Sequence, residues 1–359
     1  MTTSSTHTDV VRVSGAEGVI ASVPYLLGFH PRESLVLLCM RNPRNRIGPV
    51  MRIDLPAPDA PREERSALAS YVALQARAHA DSVVLICYTD GEDTGPVSRR
   101  RFAQHALMQD CRRAIKGAGI RVFDLYLVRE KTSLSYQQHR PGTPGYPLLA
   151  ESNSEIAKLS SAHACAGRRV LADRDALRTS IAGPVGGIAQ DAVDQIARAQ
   201  SRRVDHAARS PHASRAPANT ENLSTKLHQA RSLRVAGDPL GEELIADLVV
   251  AFDDPLLRDQ AIYWALKNHD ESVVALFVDL AVWTPSTACA QTCAVLAVVA
   301  YRAGDGALAQ VALDRVFAAD PHHRLGGLLL ATMQAGIEPR HLDGMLLDQQ
   351  FVCDREESE

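Results

Sequence analysis

The turn at residues 28–34 (GFHPRES) gathers residue types that carry acid–base and nucleophilic chemistry. A hydrolase needs a base within hydrogen-bond reach of a nucleophile, and His30 and Ser34 are residues of those two types. They lie four positions apart across a proline-containing turn, and this spacing does not by itself bring them together. With Arg32 and Glu33 they form a candidate site. The alternative is that the residues of this turn serve only the backbone structure.

The structural interpretation explains most of the same turn. Gly28 can end a helix in the left-handed region that glycine favours, and Pro31 prevents the helix from continuing. Ser34 can bond a local backbone group where the next strand begins. Arg32 and Glu33 are then solvated side chains. We favour this interpretation, which still leaves residues 30–33 without an explanation as a group.

The ends of two predicted strands supply further candidates. Asp90 follows a predicted strand at 82–88, and Arg129 ends another at 120–129. Ligands of open α/β sheets bind beyond the carboxyl ends of the strands, an edge that the opening turn could also reach. No GxSxG, GxxxxGK[ST] or HExxH motif indicates a reaction class. The candidate pocket comprises His30, Arg32, Glu33, Ser34, Asp90, Arg129 and Tyr136.

The first 136 residues alternate between strand and helix patterns. Strands separated by helices of this length indicate βαβ crossovers, and a hairpin near the start makes the predicted sheet mixed. Residues 131–147, rich in Pro and Gly, are predicted to be a loop. The predicted helices are 15–27, 61–80 and 97–116, and the predicted strands are 34–40, 46–55, 82–88 and 120–129.

The rest of the chain is predicted to be helical. The sequence 183–187 (GPVGG) breaks the helical pattern, and turn signals about fifteen residues apart follow at 237–239, 253–255, 268–270, 284–285, 304–306 and 320–321. This spacing indicates antiparallel helix pairs, and one pair around Gly304 and Asp305 has the spacing of a tetratricopeptide (TPR) repeat. The predicted architecture is a mixed-sheet α/β domain followed by an all-α, TPR-like domain. Its boundaries are 10–150 for the α/β domain, 151–200 for a helical extension, 201–220 for a linker or mobile loop, 221–339 for the TPR-like domain and 340–359 for a tail.

Two tryptophans in the helical half could anchor a protein partner, since such helix pairs present grooves that dock peptides. Trp264 and Trp283 also lie beside apolar residues, so packing in the core competes with that role. The segment 201–220 carries four arginines and one acidic residue, but it is short and has no interleaved aromatic residues. We therefore expect a protein partner and no nucleic acid.

Composition narrows the remaining classes. The net charge of −3 provides no field that would recruit nucleic acid or an anionic membrane. The seven cysteines form no CxxC pair, and Cys289 and Cys293 have no two further ligands nearby, so we expect neither a metal nor a cofactor. The N-terminus lacks the pattern of a signal peptide and no apolar stretch could span a bilayer, which predicts a cytoplasmic protein.

Residues 24–31 (PYLLGFHP) and 34–36 (SLV) resemble the opening of DUF4192, a family of actinobacterial proteins of unknown function. Residues 304–309 (GDGALA) and 319–321 (ADP) fit its C-terminal part, and the resemblance covers roughly residues 10–339. Many members carry a Cys-rich loop after the fourth strand, whereas residues 135–141 here contain no cysteine. The resemblance implies no reaction.

We therefore expect a non-catalytic binding or adaptor protein that uses its helical half for protein–protein interaction. The alternative is an α/β domain that binds or hydrolyses a small molecule near the opening turn and the strand ends.

Overall fold

The computed structural model describes residues 13–43, 45–96, 99–150, 153–165, 169–209, 217–268, 270–339 and 341–342. The chain divides into two compact units, Met1–Arg174 and Asp175–Glu359. The first unit holds a mixed sheet with helices, and the described part of the second is helical. The predicted fold class, an α/β part followed by an all-α part, is therefore confirmed.

A six-stranded sheet forms the centre of the first unit, in the order β2-β1-β3-β4-β5-β6. Strands β3 and β4 are parallel, and every other neighbouring pair is antiparallel. The sheet is thus mixed, as predicted, with a βαβ crossover between its two parallel strands. The strands are β1 Ser34–Arg41, β2 Arg46–Asp54, β3 Ser82–Tyr88, β4 Arg121–Arg129, β5 Thr132–Ser135 and β6 Tyr146–Pro147.

The helices of this unit pack against the sheet, and the alternation of strand side chains decides which residues each helix contacts. They are α1 Gly15–Leu27, α2 Arg62–His79, α3 His105–Gly117 and α4 Ser154–Cys165. Alternate strand residues, such as Leu35, Leu37 and Leu85, join residues of α2 and α3 in one buried core, because successive strand side chains point to opposite faces. Tyr88 points to the other face, where its hydroxyl donates to the Ile20 carbonyl of α1 at 3.5 Å.

Two parts of the first unit differ from the prediction. Helix α3 begins at His105 rather than near residue 97, because Thr94 and Arg101 exchange two backbone hydrogen bonds of 2.8 Å ahead of it. The predicted loop at 131–147 contains β5 and β6, which extend the sheet beyond β4. A two-residue turn with Glu130 at φ 45° joins β4 to β5, without the Asn-Gly signal that usually marks such turns.

The second unit begins at Asp175, inside its first helix, and its described part is built from helices. The predicted turn signals at 253–255, 268–270 and 304–306 are helix starts, where Asp254, Asp270 and Asp305 accept a backbone N–H of the first turn. The helices are α5 Arg174–Ser180, α6 Gly186–Arg209, α7 Pro217–Ala236, α8 Glu242–Ala251, α9 Pro255–Lys267, α10 Glu271–Trp283, α11 Ala290–Arg302, α12 Gly306–Ala319 and α13 Arg324–Gln334.

The bounds of these helices bear on the predicted TPR-like unit and on the predicted linker at 201–220. Helices α11 and α12 pack together across the Gly304-Asp305 turn, an arrangement compatible with the predicted TPR-like unit, which stays a prediction. The segment 201–220, interpreted from the sequence as a linker or loop, is helical over 201–209 and again from Pro217. Residues 210–216 lie outside the described residues.

Candidate functional site

The sheet brings several predicted site residues to one edge. Ser34 at the start of β1 pairs with Tyr88 at the end of β3, and Tyr88 pairs with Val128 near the end of β4. The residue before β1 therefore lies next to the residues that follow β3. We call Glu33, Thr89, Asp90, Asp93 and Arg129 the strand-end cluster.

Glu33 is the acceptor at the centre of this cluster. Its backbone is in the left-handed region at φ 41°, which is uncommon for a residue other than glycine. The Thr89 hydroxyl lies 3.0 and 2.8 Å from the two carboxylate oxygens of Glu33, and the Asp90 amide donates to one of them at 3.2 Å. The carboxylate thus fastens the start of β1 to the loop after β3.

Arg129 holds the other side of the same loop. Its Nη2 donates to the Gly91 carbonyl and to the Asp93 carboxylate, each at 2.6 Å. The Asp93 carboxylate also accepts the Ala103 amide at 3.2 Å, while Arg129 Nε is buried without a partner among the described residues. The charged side chains of the cluster therefore hold the neighbouring loops against the sheet.

The remaining residues of the predicted pocket do not converge on a reacting atom. Ser34 is buried; its hydroxyl donates to the Arg32 carbonyl and accepts Arg52 Nε at 2.7 Å. His30 is exposed, and its backbone amide donates to the Leu171 carbonyl at 3.0 Å. The described contacts of Ser34 do not include the His30 imidazole, so no activated serine is formed there.

Tyr136 is a core residue rather than a wall of an open site. Its side chain is buried, and the hydroxyl donates to the Ala103 carbonyl at 2.7 Å. Burial, followed by the neighbouring Cys87, raises the pKa of Tyr136 well above its ordinary value. The phenol therefore stays protonated and does not serve as a base near neutral pH.

The second unit contains an open groove of about 780 Å³, which we call the helix-end groove. It lies where the start of α6, the end of α7, the start of α8 and the end of α10 meet. Its apolar side chains include Pro184, Ile188, Leu240, Ile245, Val282 and Trp283, and its charged side chains are Asp191, Arg234, Asp238, Glu242 and Asp279.

The end of α7 forms one wall through a helix-stop motif. Gly237 adopts φ 79°, the Gly237 amide donates to the Arg234 carbonyl at 3.2 Å, and the Asp238 amide donates to the Leu233 carbonyl at 2.9 Å. This pair of bonds defines a Schellman motif, and the proline that follows prevents the helix from continuing. The predicted turn at 237–239 thus shapes the groove.

The loop before α6 forms the opposite wall and is held by a half-buried arginine. Arg315 of α12 donates to the carbonyls of Ile181, Ala281 at 2.8 Å and Thr284 at 3.0 Å, which ties the loop to the end of α10. A Cβ at Gly183 would lie 2.5 Å from the Thr284 oxygen and 2.8 Å from Arg315 Nη2. Only glycine fits there without a shift of the backbone.

The charges of the groove are mostly acidic. Arg234 Nε lies 2.6 Å from an Asp279 carboxylate oxygen. Burial raises the pKa of Asp279, and the Arg234 charge opposes that rise. Asp191, Asp238 and Glu242 form no ion pair with any described residue, and Glu242 accepts a hydrogen bond from Gln195 Nε2 at 3.4 Å. The side chains that line the groove therefore carry a net negative charge beside its apolar residues.

Metal ligation and membrane insertion have no structural support within the described ranges. Among the residues that the structure describes, no group of three His, Cys, Asp or Glu side chains is arranged to hold a metal ion. None of the helices in the described part of the chain is long and apolar enough to cross a bilayer. Cys289 and Cys293 are 1% and 0% exposed and pack within the helical unit.

Comparison with known proteins identifies the family. The family model "Domain of unknown function (DUF4192)" matches residues 17–340, most of the chain. The chain belongs to DUF4192. No curated protein and no solved structure matches it.

The two tryptophans of this DUF4192 protein have different surroundings. Trp264 is 7% exposed, and its Nε1 donates to His228 Nε2 at 3.0 Å, so its ring packs inside the helical unit. Trp283, the last residue of α10, is half-buried and lines the helix-end groove. Of the two predicted anchors, Trp283 is the one that lines the groove, and the partner-binding role of both stays a prediction.

Reasoning from the sequence missed most of the groove in this DUF4192 chain. Its walls come from three stretches of chain, 182–192, 234–245 and 279–283, and no short motif joins them. The available signals are the turns at 183–187 and 237–239, which by themselves indicate only where helices stop. The groove depends on how the helix ends pack together, and this arrangement is not visible as local spacing.

Proposed function

We propose that this DUF4192 protein is a non-catalytic binding or adaptor protein whose helical unit holds a segment of a protein partner in the helix-end groove. The observation that carries the proposal is the groove of about 780 Å³ with the half-buried Trp283 among apolar side chains. Tryptophan surrounded by apolar contacts is a frequent anchor of protein interfaces. The TPR-like α11–α12 pair fits the same role, since helix repeats present such binding surfaces.

The exposure of the groove favours a protein segment over a small molecule. Small-molecule sites enclose most of the ligand surface, whereas here Ile188 is 71% exposed and the adjacent Val185 is 82% exposed. The strand-end cluster supports the alternative, a hydrolytic or small-molecule-binding α/β unit, less well. Its charged groups already bond the loops around them.

The proposed place of action is the cytoplasm. Cys39, Cys87 and Cys111 are free and buried, and burial raises the pKa of each thiol to about 12. Free thiols of this kind suit a reducing compartment.

Capture of a partner by the full-length protein tests the proposal. Wild type, Ile188→Ser and the matched control Leu328→Ser are immobilised; Leu328 is 68% exposed on α13 and lies outside the groove. We expect a partner that wild type and Leu328→Ser retain and Ile188→Ser loses. The purified partner should then protect residues 182–192 and 234–242 from hydrogen exchange. Equal capture by all three proteins would contradict the proposal.

A further inference from the structure

We infer that the occupant of the helix-end groove is a basic protein segment that places an apolar side chain against Trp283 and its cations against the acidic side chains around it. The inference rests on the proposed function and specifies the chemistry of the partner. It follows from the distribution of charge within the groove.

The acids without an ion pair come from two stretches of the groove wall, 182–192 and 234–245. Asp191 lies on α6, Asp238 follows α7, and Glu242 begins α8, and none forms an ion pair within the described part of the chain. The arginine of the groove is already paired with Asp279. Lysine or arginine side chains of a ligand could therefore pair with acids on more than one wall, which gives complementary potentials across the interface.

The apolar side chains define where the ligand needs a hydrophobic residue. Ile188, Val282 and Trp283 lie beside these acids, and Ile188 and Val282 are 71% and 40% exposed. An inserted aliphatic side chain would remove apolar surface from water. The Trp283 ring could also contact a neighbouring lysine or arginine through its face.

Two segments of the chain itself fit the groove poorly. Residues 343–359 carry six acidic residues and one arginine, so like charges would repel this segment from the groove. In the arginine-rich segment at 201–220, Arg202 and Arg203 lie within α6 and already pair with Asp247 and Asp254. The occupant is therefore expected to be another protein.

Peptide binding to the full-length protein tests the inference. Three fluorescent peptides of equal length serve as probes: one has lysines around a central leucine, one has glutamates around the leucine, and one has lysines around a central serine. Fluorescence anisotropy is measured with wild type and with the double variant Asp191→Lys/Glu242→Lys. Glu271→Lys is the matched control, because Glu271, like Glu242, is an exposed glutamate in the first turn of a helix but lies outside the groove.

We expect the lysine–leucine peptide to bind wild type most tightly and to weaken with added salt. The double variant should weaken that peptide about tenfold, since two favourable charge contacts become repulsive, and should bind the glutamate peptide better than wild type does. Glu271→Lys should behave as wild type. Equal binding of the lysine and glutamate peptides, or an equal loss in Glu271→Lys, would overturn the inference.

The outcomes separate the inference from the proposed function. If Ile188→Ser abolishes capture of the natural partner while the lysine–leucine peptide does not bind wild type, the groove binds a partner of different chemistry. In that case the inference fails and the proposed function stands. If Ile188→Ser leaves capture unchanged, the proposed function itself fails.

Discussion

At the scale of single residues, side chains that resemble catalytic groups can serve to hold the backbone. Glu33 has an acidic side chain in a turn that also contains histidine and serine, but its carboxylate accepts the Thr89 hydroxyl and the Asp90 amide. Ser34 is likewise committed to Arg32 and Arg52. These contacts explain part of the group at 30–33 that backbone rules alone leave unexplained.

Replacing Glu33 tests this structural role. Glu33→Ala removes the acceptor of two groups and keeps the left-handed backbone at φ 41°, so we expect the free energy of unfolding to fall by about 1 kcal/mol. Glu33→Gly also removes the acceptor but relieves the backbone, and its loss should be smaller. Urea unfolding of the full-length protein measures both.

The neighbouring exposed Arg32 provides the control for Glu33. Arg32→Ala changes a side chain of the same turn and should shift the free energy of unfolding by less than about 0.5 kcal/mol. A larger loss in Arg32→Ala than in Glu33→Ala would contradict the assignment of the holding contact to Glu33.

The residues of the strand-end cluster could be predicted only in part. The pattern of apolar strands placed Asp90 and Arg129 at strand ends, and the general rule for α/β sheets brought them to one edge. Thr89 and Asp93, which complete the contacts of Glu33 and Arg129, were missed, because side-chain hydrogen bonds between distant segments leave no periodic signal. For the same reason, the apolar residues next to Trp264 and Trp283 in the sequence do not reveal which of the two tryptophans lines the groove.

At the scale of elements, prediction succeeded where the local sequence determines the bounds. The helix 15–27 and the strand 82–88 match α1 and β3, since each has a clear apolar pattern with a glycine or polar stop. The start of α3 and the strands β5 and β6 were not predicted, because backbone pairing with other segments determines where these elements begin and end. Non-local pairing competes with local preference and here overrides it.

The loop before α6 carries a prediction at this scale. Gly183→Ala would place a Cβ 2.5 Å from the Thr284 oxygen and 2.8 Å from Arg315 Nη2, so the loop must move away from the end of α10. We expect the free energy of unfolding to fall by about 1–3 kcal/mol and partner capture by the groove to be lost. Urea unfolding and the capture experiment measure the two effects.

Gly187 is the matched control for Gly183. A Cβ at Gly187 meets nothing within 4 Å, and the residue lies in the first turn of α6. Gly187→Ala should leave capture unchanged and stabilise the protein by about 0.5 kcal/mol, because alanine is the better helix former. Equal behaviour of the two variants would show that the close approach at Gly183 is not important.

The start of α13 carries a pH-dependent prediction. His323 is 5% exposed, and its Nδ1 accepts the Gly326 amide at 3.1 Å. Burial lowers the pKa of His323 below 6.5; Asp320 opposes this shift and Arg258 adds to it. Because the unfolded chain then binds a proton at a higher pH than the folded chain, stability should be lost as the pH falls below about 6.5.

A variant with an uncharged cap isolates this contribution. Asparagine also caps helices, so His323→Asn should retain α13 and lose less stability than wild type between neutral and mildly acidic pH. Chemical denaturation at a series of pH values measures the difference. Identical profiles for the two proteins would rule out a contribution from His323.

At the scale of the whole molecule, the chain has two compact units, each with its own buried core. The sheet core of the first unit includes Leu85, and the helical core of the second includes Leu296; both side chains are 0% exposed. Deletion of a buried leucine side chain to alanine costs about 2–5 kcal/mol. Each substitution should therefore destabilise the unit whose core it opens.

Hydrogen exchange of the full-length protein distinguishes these two cores. Leu85→Ala should reduce protection in peptides from residues 13–174, and Leu296→Ala should reduce it in peptides from 175–342, because a cavity weakens the cooperative unit that contains it. The two variants serve as controls for each other, since both remove the same atoms from fully buried positions. If each variant reduced protection equally throughout the chain, the two cores would unfold as one cooperative unit, and groove variants would have to be assessed for effects on the sheet as well.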